Sequence, residues 1–164
     1  MNSLIKNVGK IVKMRSNKEI FRLLANANFP LKKDLCKKKS NSYTRNILQN
    51  IKNEYILMVI CWAPHSKSPI HDHNCQCFYK VLEGSIVEKR YIEDGKKLTK
   101  ISKTSLGNGS IGHINDDLGV HLMENITNDY VYTLHLYIPP YETCNIYPSV
   151  DDLSQKKSIL YDIS

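Results

Sequence analysis

Residues 55–73 have the sequence YILMVICWAPHSKSPIHDH. The first eight residues are an unbroken apolar run, which favours a buried β-strand. His71 and His73 follow after a short, more polar stretch. Because side chains two residues apart on a strand point to the same face, both imidazoles are expected to project together from one β-surface. Two imidazoles placed in this way are the start of a site for a first-row transition metal.

The composition is that of a globular protein with an uneven charge. The 164 residues are enough for a single domain with a proper core, and 41% of them are hydrophobic. No apolar run approaches the roughly 18 residues of a membrane-spanning helix, so we expect no membrane association. Residues 1–40 contain 11 Lys/Arg and two Asp/Glu, whereas residues 41–164 contain 12 and 14. The net charge of +7 therefore belongs to the N-terminal segment, away from the candidate site.

The basic N-terminal segment allows several interpretations. Lys37-Lys38-Lys39 is not accompanied by alternating aromatic residues, so we expect a solvated face and no nucleic-acid partner. The first 18 residues are basic and free of acids, as in a mitochondrial presequence. Because they include a single arginine and few serines, a plain docking helix is the favoured interpretation. An odd number of cysteines without a secretory signal predicts a reduced, cytoplasmic setting.

Hydrophobic periodicity predicts helices first and strands afterwards. Residues 3–39 are expected to be helical, since Ser16 and Glu19 form a capping box ahead of an apolar repeat of three to four residues. Short strands without intervening helices follow, which predicts a mainly β, closed or sandwiched fold. The predicted strands are 43–49, 55–62, 78–82, 86–91 and 130–137. Glu83 and Gly84 are predicted to form a turn between strands 78–82 and 86–91.

A third histidine completes the candidate metal site. His121 lies within the sequence GVHLMEN (119–125), after a turn-rich stretch. Taken singly, each of the six histidines is more often a structural or surface residue than a ligand. The spacing of His71 and His73 alone therefore leaves a metal site and two structural histidines as equal alternatives.

Two short motifs resemble the two motifs of the cupin superfamily. The first joins His71 and His73 to Cys77, and the second joins His121 to Asn125. The resemblance implies a mainly β fold with a cupin-type small β-barrel, a double-stranded β-helix, and N-terminal helices packed outside it. In most cupins an acidic residue stands where this chain has Cys77, so the implied ligand set is three neutral histidines.

The domain organisation follows from the same resemblance. We expect a single cupin domain over residues 1–164. Its parts are a helical N-terminal segment over 1–40, a β-barrel over 43–147 and a C-terminal surface segment over 148–164.

Longer matches resemble the cysteine dioxygenases of eukaryotes. They extend from about Tyr43 to Cys144, in order and with near-constant spacing. The resemblance implies a non-haem iron thiol dioxygenase with one Fe(2+) per chain. It would act as a monomer and oxidise free L-cysteine with O2 to cysteine sulfinic acid. The matching stretches are YTRN (43–46), CW (61–62), IHDH (70–73), CF (77–78), IND (114–116), VH (120–121), EN (124–125), LHLY (134–137) and PPYETC (139–144).

By position, the resemblance also implies a role for each of ten residues. His71, His73 and His121 would bind the metal, and Arg45 and Tyr43 would bind the substrate. The catalytic residues would be Tyr137, His135 and Cys77, with a thioether bond joining Cys77 to Tyr137, while Thr133 and Cys144 would lie beside them.

The residues themselves support part of this assignment. Thr133, His135 and Tyr137 alternate onto one face of a predicted strand, and buried hydroxyls and imidazoles need partners, so a hydrogen-bonded network is expected. Arg45 shares its strand face with Tyr43, and an arginine directed into a barrel needs an anion such as a substrate carboxylate. Without the resemblance, a surface salt bridge would be the favoured interpretation of Arg45.

Some features depart from the family and leave alternatives open. The segment between His73 and Cys77 is one residue shorter than in mammalian relatives, and Cys75 is an additional thiol. The thioether therefore stays open. A dioxygenase for another small thiol, such as mercaptopropionate or cysteamine, is one alternative function, and Arg45 argues against it. A non-catalytic metal-binding cupin is another, and the polar face that contains His135 argues against that.

Overall fold

The computed structural model describes residues 3–160. The first two residues of the predicted helical segment and the last four of the predicted C-terminal segment lie outside the described residues. Helix α1 spans Ser3–Lys13 and helix α2 spans Asn17–Asn26. Neither of the two is long and apolar enough to cross a membrane. Short 3-10 turns cover Lys33–Leu35, Asp116–Leu118 and Leu153–Gln155.

Helix α2 begins at the predicted capping residue. The Ser16 hydroxyl oxygen accepts a hydrogen bond from the backbone N–H of Glu19 at 3.4 Å, which satisfies one of the free donors of the first turn. At the other end, the Lys80 ammonium donates to the carbonyl oxygens of Leu24 at 2.7 Å and Ala27 at 3.0 Å. Helix α2 ends at Asn26, so residues 27–32 of the predicted helical segment 3–39 are not helical. The Lys80 ammonium is a cation at the helix C-terminus, and it joins α2 to the barrel.

The strands of the described residues form two antiparallel sheets. The strand bounds are β1 Tyr43–Ile51, β2 Tyr55–Trp62, β3 Ile70–His71, β4 Gln76–Glu83, β5 Ile86–Asp94, β6 Lys97–Leu106, β7 Ile111–Ile114, β8 Val120–Glu124, β9 Val131–Ile138, β10 Thr143–Tyr147 and β11 Lys157–Leu160. One sheet has five strands in the order β1-β2-β9-β4-β7, and the other has six in the order β11-β10-β3-β8-β5-β6.

Strand β2 explains the unbroken apolar run of the sequence. All eight of its residues are buried, since the helices cover one face of the five-stranded sheet and the other sheet covers the opposite face. Tyr55 and Leu57 pack with Val8 and Leu24 of the helices. A strand that is buried on both faces loses the polar alternation of a half-exposed strand.

Strand β9 follows the predicted alternation. Leu134 and Leu136 pack in the cluster beneath the helices, whereas Tyr137 belongs to the interior between the two sheets. Thr133 and His135 are buried as well. The polar face of β9 is therefore directed into the barrel, where the candidate site lies.

Two features of the chain path were not evident from the sequence. Glu83 and Gly84 were predicted as a turn, yet β4 and β5 do not pair, because β4 belongs to the five-stranded sheet and β5 to the six-stranded one. Gly84 adopts a φ of 87°, which allows the chain to cross between the sheets. The C-terminal surface segment also contributes a strand, since Lys157–Leu160 pairs with β10.

Candidate metal centre

Three buried histidines meet where β3 pairs with β8. His71 ends β3 and lies directly opposite His121 of β8, and His73 follows just beyond the end of β3. Their candidate ligand nitrogens all lie within 4.8 Å of one another. His71 is 8% exposed, and the other two are 1% exposed. The structure thus brings together the three residues that the sequence assigned to the metal.

Burial keeps these imidazoles neutral. Removal from water lowers the pKa of His71 to about 4, and it holds the pKa of His73 and His121 well below the ordinary value. The closeness of the rings adds to the effect in His73 and His121, because each charged ring would repel its neighbours. Neutral imidazole is the form that binds transition metals, so the site is in the right protonation state at neutral pH.

The surroundings of the ring nitrogens of the three histidines are compatible with a metal ion. The Nδ1 atom of His71 lies 3.0 Å from the carbonyl oxygen of Pro69, and that of His121 lies 2.7 Å from a carboxylate oxygen of Glu88. Since both partners are acceptors, each ring donates through Nδ1 and keeps its lone pair on Nε2. In the described part of the chain neither ring nitrogen of His73 has a hydrogen-bond partner, although both are buried. A cation shared by the three rings would satisfy such an orphaned nitrogen.

Asp72 and Asp116 hold the backbone that carries His71 and His73. The carboxylate of Asp72 accepts hydrogen bonds from the backbone N–H and the side-chain amide of Asn145, at 2.7 and 2.6 Å. The carboxylate of Asp116 accepts the backbone N–H of His73 at 2.8 Å. Asp72 is therefore engaged elsewhere and does not join the ligand group. Both aspartates instead fix the backbone that presents His71 and His73.

The predicted network on β9 is confirmed, and it extends one residue further than expected. Trp62 donates its indole N–H to the Thr133 hydroxyl oxygen at 2.8 Å, and this hydroxyl lies 2.8 Å from His135 Nε2. The other ring nitrogen of His135 lies 3.3 Å from the Tyr137 hydroxyl. Burial lowers the pKa of His135 to about 3 and holds that of Tyr137 well above its usual value. The imidazole is therefore neutral, and the tyrosine keeps its proton.

Cys77 lies beside this network. It is directly opposite Tyr137 in the pairing of β4 with β9, and its Sγ atom lies 3.9 Å from His135 Nδ1. Burial holds the pKa of the Cys77 thiol well above its usual value. The short segment after His73 is accommodated before β4 begins at Gln76, so it does not move Cys77 out of register with Tyr137.

Arg45 and Tyr43 face the interior. They pair across β1 and β2 with Ile60 and Trp62, which belong to the interior cluster. Directly opposite residues share a face of the sheet, so the two side chains point the same way as these partners. They line a small cavity of about 20 Å³ that is also lined by His71 and other site residues. The outward orientation that the residues alone favoured for Arg45 is wrong, since the side chain borders the cavity.

The interior cluster contains two further residues of interest. Cys144 is buried in the interior cluster, together with Tyr141. The ring of Tyr141 lies 4.6 Å from that of Tyr137, centroid to centroid, and it lines the cavity. Tyr141 was part of a matching stretch in the sequence but was not assigned a role. Its position two residues beyond Pro139 gave no periodic signal that could have placed it there.

Sequence reasoning also missed a buried carboxylate behind the metal site. Glu88 is 4% exposed and lies against His121. Glutamate is almost never fully buried unless it is paired, so the residue type alone indicates a surface position. A signal was present, because Glu88 shares its strand face with the buried Ile86 in β5.

Comparison with known proteins places this site in a family. The sequence profile described as "Cysteine dioxygenase type I" matches residues 19–150. The human protein named "Cysteine dioxygenase type 1" is 37% identical over 110 residues, which cover 64% of this chain and 55% of the human one. The bovine and zebrafish proteins of that name are 36% and 34% identical, with the same coverage. The chain thus spans about half the length of the curated relatives that it matches.

Solved structures agree on the fold. A Klebsiella pneumoniae protein with a double-stranded β-helix domain superposes with a TM-score of 0.55 at 16% identity, over 70% of this chain and 91% of that one. A cupin superfamily protein from Desulfitobacterium hafniense gives a TM-score of 0.53 at 13% identity, over 69% and 93%. The predicted cupin barrel is confirmed. With the profile covering most of its length, the chain belongs to the cysteine dioxygenase type I family.

Proposed function

We propose that this chain is a non-haem iron dioxygenase that oxidises the thiol of free L-cysteine with O2 to cysteine sulfinic acid. The single observation that carries the proposal is the convergence of three neutral, buried histidines on a cavity that Arg45 also lines. The relatives named above bear the name of this activity, and the chain shares their family.

His71, His73 and His121 would hold the iron. A set of three neutral ligands leaves the full charge of a divalent ion in place and leaves positions open for small molecules. A ferrous ion bound there would supply the redox chemistry and lower the pKa of a thiol that it binds. We assign one Fe(2+) to each chain.

Arg45 and Tyr43 would bind the other end of the substrate. A guanidinium group can take a carboxylate by two parallel hydrogen bonds, which fixes both the position and the direction of a small amino acid. The guanidinium carbon of Arg45 lies 5.5 Å from the centre of the Tyr43 ring, so the aromatic face supports the cation. With the carboxylate held at Arg45, the thiol of cysteine is left to reach the histidines across the small cavity.

Tyr137 would act as a hydrogen-bond donor at the reacting centre. Its ring lies 6.2 Å from that of His73, with the two planes inclined by only 10°. His135 would position the hydroxyl, and Thr133 with Trp62 would hold His135 in turn. Because burial keeps the tyrosine protonated, its O–H can donate a hydrogen bond to charge that develops on oxygen during the reaction.

A respirometric assay tests the function. Protein loaded with Fe(II) should consume O2 with L-cysteine, and kcat/KM for cysteine should exceed that for cysteamine and mercaptopropionate by about tenfold or more, since neither presents the same carboxylate and amine. Cysteine sulfinic acid should appear in proportion to the O2 consumed. Equal rates with all three thiols would contradict the assignment to cysteine, and no uptake would favour a metal-binding cupin without turnover.

The thioether between Cys77 and Tyr137 is also a proposal. The two residues are direct neighbours across β4 and β9, which supports it. Bond formation removes one hydrogen from the thiol and one from the ring, so intact-mass spectrometry of protein turned over with O2 should show a loss of two hydrogens. Cys77→Ser should abolish this loss and keep measurable activity, whereas Cys75→Ser is the matched control that should keep the loss. A loss that persists in Cys77→Ser would contradict the assignment.

The monomeric state and the cytoplasmic location stay predictions. Light scattering during size-exclusion chromatography measures the first, and fractionation of the source cells measures the second.

A further inference from the structure

A closed group of polar side chains lies behind His121. Glu88 is its centre: one carboxylate oxygen contacts His121 Nδ1 at 2.7 Å and accepts the Tyr79 hydroxyl at 2.6 Å. The other oxygen accepts from the Nε–H of Arg90 at 2.9 Å. We call these three residues, Tyr79, Glu88 and Arg90, the carboxylate clamp.

Further contacts fix the positions of Arg90 and Tyr79 in the clamp. Arg90 donates through Nη2 to the Tyr79 hydroxyl oxygen at 3.1 Å and to the carbonyl oxygen of His113 at 2.8 Å. The Tyr79 ring passes over Gly112, where an added Cβ would lie 2.1 Å from the ring carbon that bears the hydroxyl. Only a glycine leaves this space. The position of the Tyr79 hydroxyl is therefore set by packing as well as by hydrogen bonds.

The pairing of β5, β8 and β3 places the clamp next to the metal site. Arg90 of β5 is directly opposite His121 of β8, and His121 is directly opposite His71 of β3. The clamp thus lies on the side of His121 that faces away from His71. A carboxylate here can act on the metal ligand without taking a position on the metal itself.

The hydrogen bonds of Glu88 offset the cost of its burial and select the form of His121 that can bind a metal. A buried carboxylate is costly unless its oxygens accept several strong hydrogen bonds, and Glu88 accepts three. One of them requires a proton on Nδ1 of His121, which leaves the Nε2 lone pair for a metal. Of the three histidines, His71 faces a backbone carbonyl and His73 has no hydrogen-bond partner for either ring nitrogen within residues 3–160. His121 is thus the one with a carboxylate behind it.

We propose that Glu88 is a positioning residue that fixes the ring of His121 for metal binding and places a negative charge one hydrogen bond behind the neutral ligand set, with Tyr79 and Arg90 holding Glu88 in place. This inference rests on the three-histidine metal site proposed above. A carboxylate behind a ligating imidazole increases its strength as a donor, and loss of such a partner typically weakens metal affinity about 10- to 100-fold.

Titration with Co(II) tests the proposal without any dependence on turnover. The affinity of the full chain for Co(II) and the visible absorption of the complex are measured for the wild type, Glu88→Gln and Glu124→Gln. Glu124, the matched control, lies on β8 three residues from His121 and pairs with Lys89 at 2.7 Å on the outside of the same sheet. Glu88→Gln should bind about 10- to 100-fold more weakly and show an altered spectrum, whereas Glu124→Gln should match the wild type.

A second variant, Tyr79→Phe, keeps the proposal testable if Glu88→Gln does not fold. Tyr79→Phe keeps the ring over Gly112 and removes a single donor to Glu88, so it should fold and weaken Co(II) binding by about three- to tenfold. Thermal unfolding of the metal-free proteins checks that the comparison is made on folded chains. Wild-type affinity and spectrum in both folded variants would overturn the proposal.

The outcomes separate this inference from the proposed function. If His121→Ala loses Co(II) binding while Glu88→Gln and Tyr79→Phe keep it, the metal site stands and the role of Glu88 is refuted. If the wild type binds Co(II) no better than His121→Ala, the metal site itself is refuted, and the role of Glu88 with it.

Discussion

Replacement of His121 by alanine is expected to abolish iron retention and dioxygenase activity. The substitution removes one of three ligands and leaves His71 and His73, which together supply too few donors for a stable site. Affinity should fall by more than the roughly 100-fold that loss of a hydrogen-bonding partner causes, because a ligand itself is lost. Iron content per chain after anaerobic loading and desalting measures the effect, with about one equivalent expected in the wild type.

The matched control is His65→Ala. His65 is exposed, contacts Asn128 at 2.9 Å and does not line the cavity, so iron retention and activity should not change. The melting temperature gives a second measurement, since a metal that binds only the folded state raises it. Iron should raise the melting temperature of the wild type and of His65→Ala, and leave that of His121→Ala unchanged. Full iron content in His121→Ala would refute the site.

Sequence patterns located the parts of this site that lie on strands. Thr133, His135 and Tyr137 could be placed on one face because side chains on a strand alternate with a period of two. A hydrogen-bonded network on that face is expected to be directed into the barrel. His71 and His73 followed from the same rule, although β3 ends at His71 and the second ring relies on Asp116 to hold its backbone.

Partners across the barrel could not be predicted in this way. A turn at Gly84 was evident, but whether it joins paired strands or crosses between sheets depends on contacts with strands that are distant in sequence. The contact of Glu88 with His121 depends on the pairing of β5 with β8 for the same reason. Charged residues are usually exposed, so a buried position for the clamp could be inferred only from that pairing.

Arg45 shows where a family resemblance adds to residue-level physics. Its side chain is long and charged, and such side chains are usually exposed, so the residues alone favour the outer face of the strand. The pairing of β1 with β2 places it opposite Ile60, on the interior face, where it lines the cavity. A guanidinium group in that position can recognise an anionic substrate by two parallel hydrogen bonds.

Replacement of Arg45 by alanine is therefore expected to raise the KM for cysteine strongly. Hydrogen bonds to a charged group contribute enough that their loss should lower kcat/KM about 10- to 100-fold, with most of the change in KM if the carboxylate contact persists unchanged through the reaction. Oxygen uptake at varied cysteine concentration measures both constants. Iron content should stay at the wild-type level, because Arg45 is not a ligand.

Comparison of substrates and variants makes the Arg45 test specific. Arg45→Lys keeps the charge but loses the planar fork, so its KM should lie between those of the wild type and Arg45→Ala. Cysteamine has no carboxylate, so its slow oxidation should be nearly unaffected by Arg45→Ala, and discrimination between the two thiols should collapse. Arg22→Ala, which removes a surface partner of Glu19, is the control and should change neither constant. An unchanged KM for cysteine in Arg45→Ala would mean that the carboxylate is bound elsewhere, and the orientation of substrate across the cavity would have to be reversed.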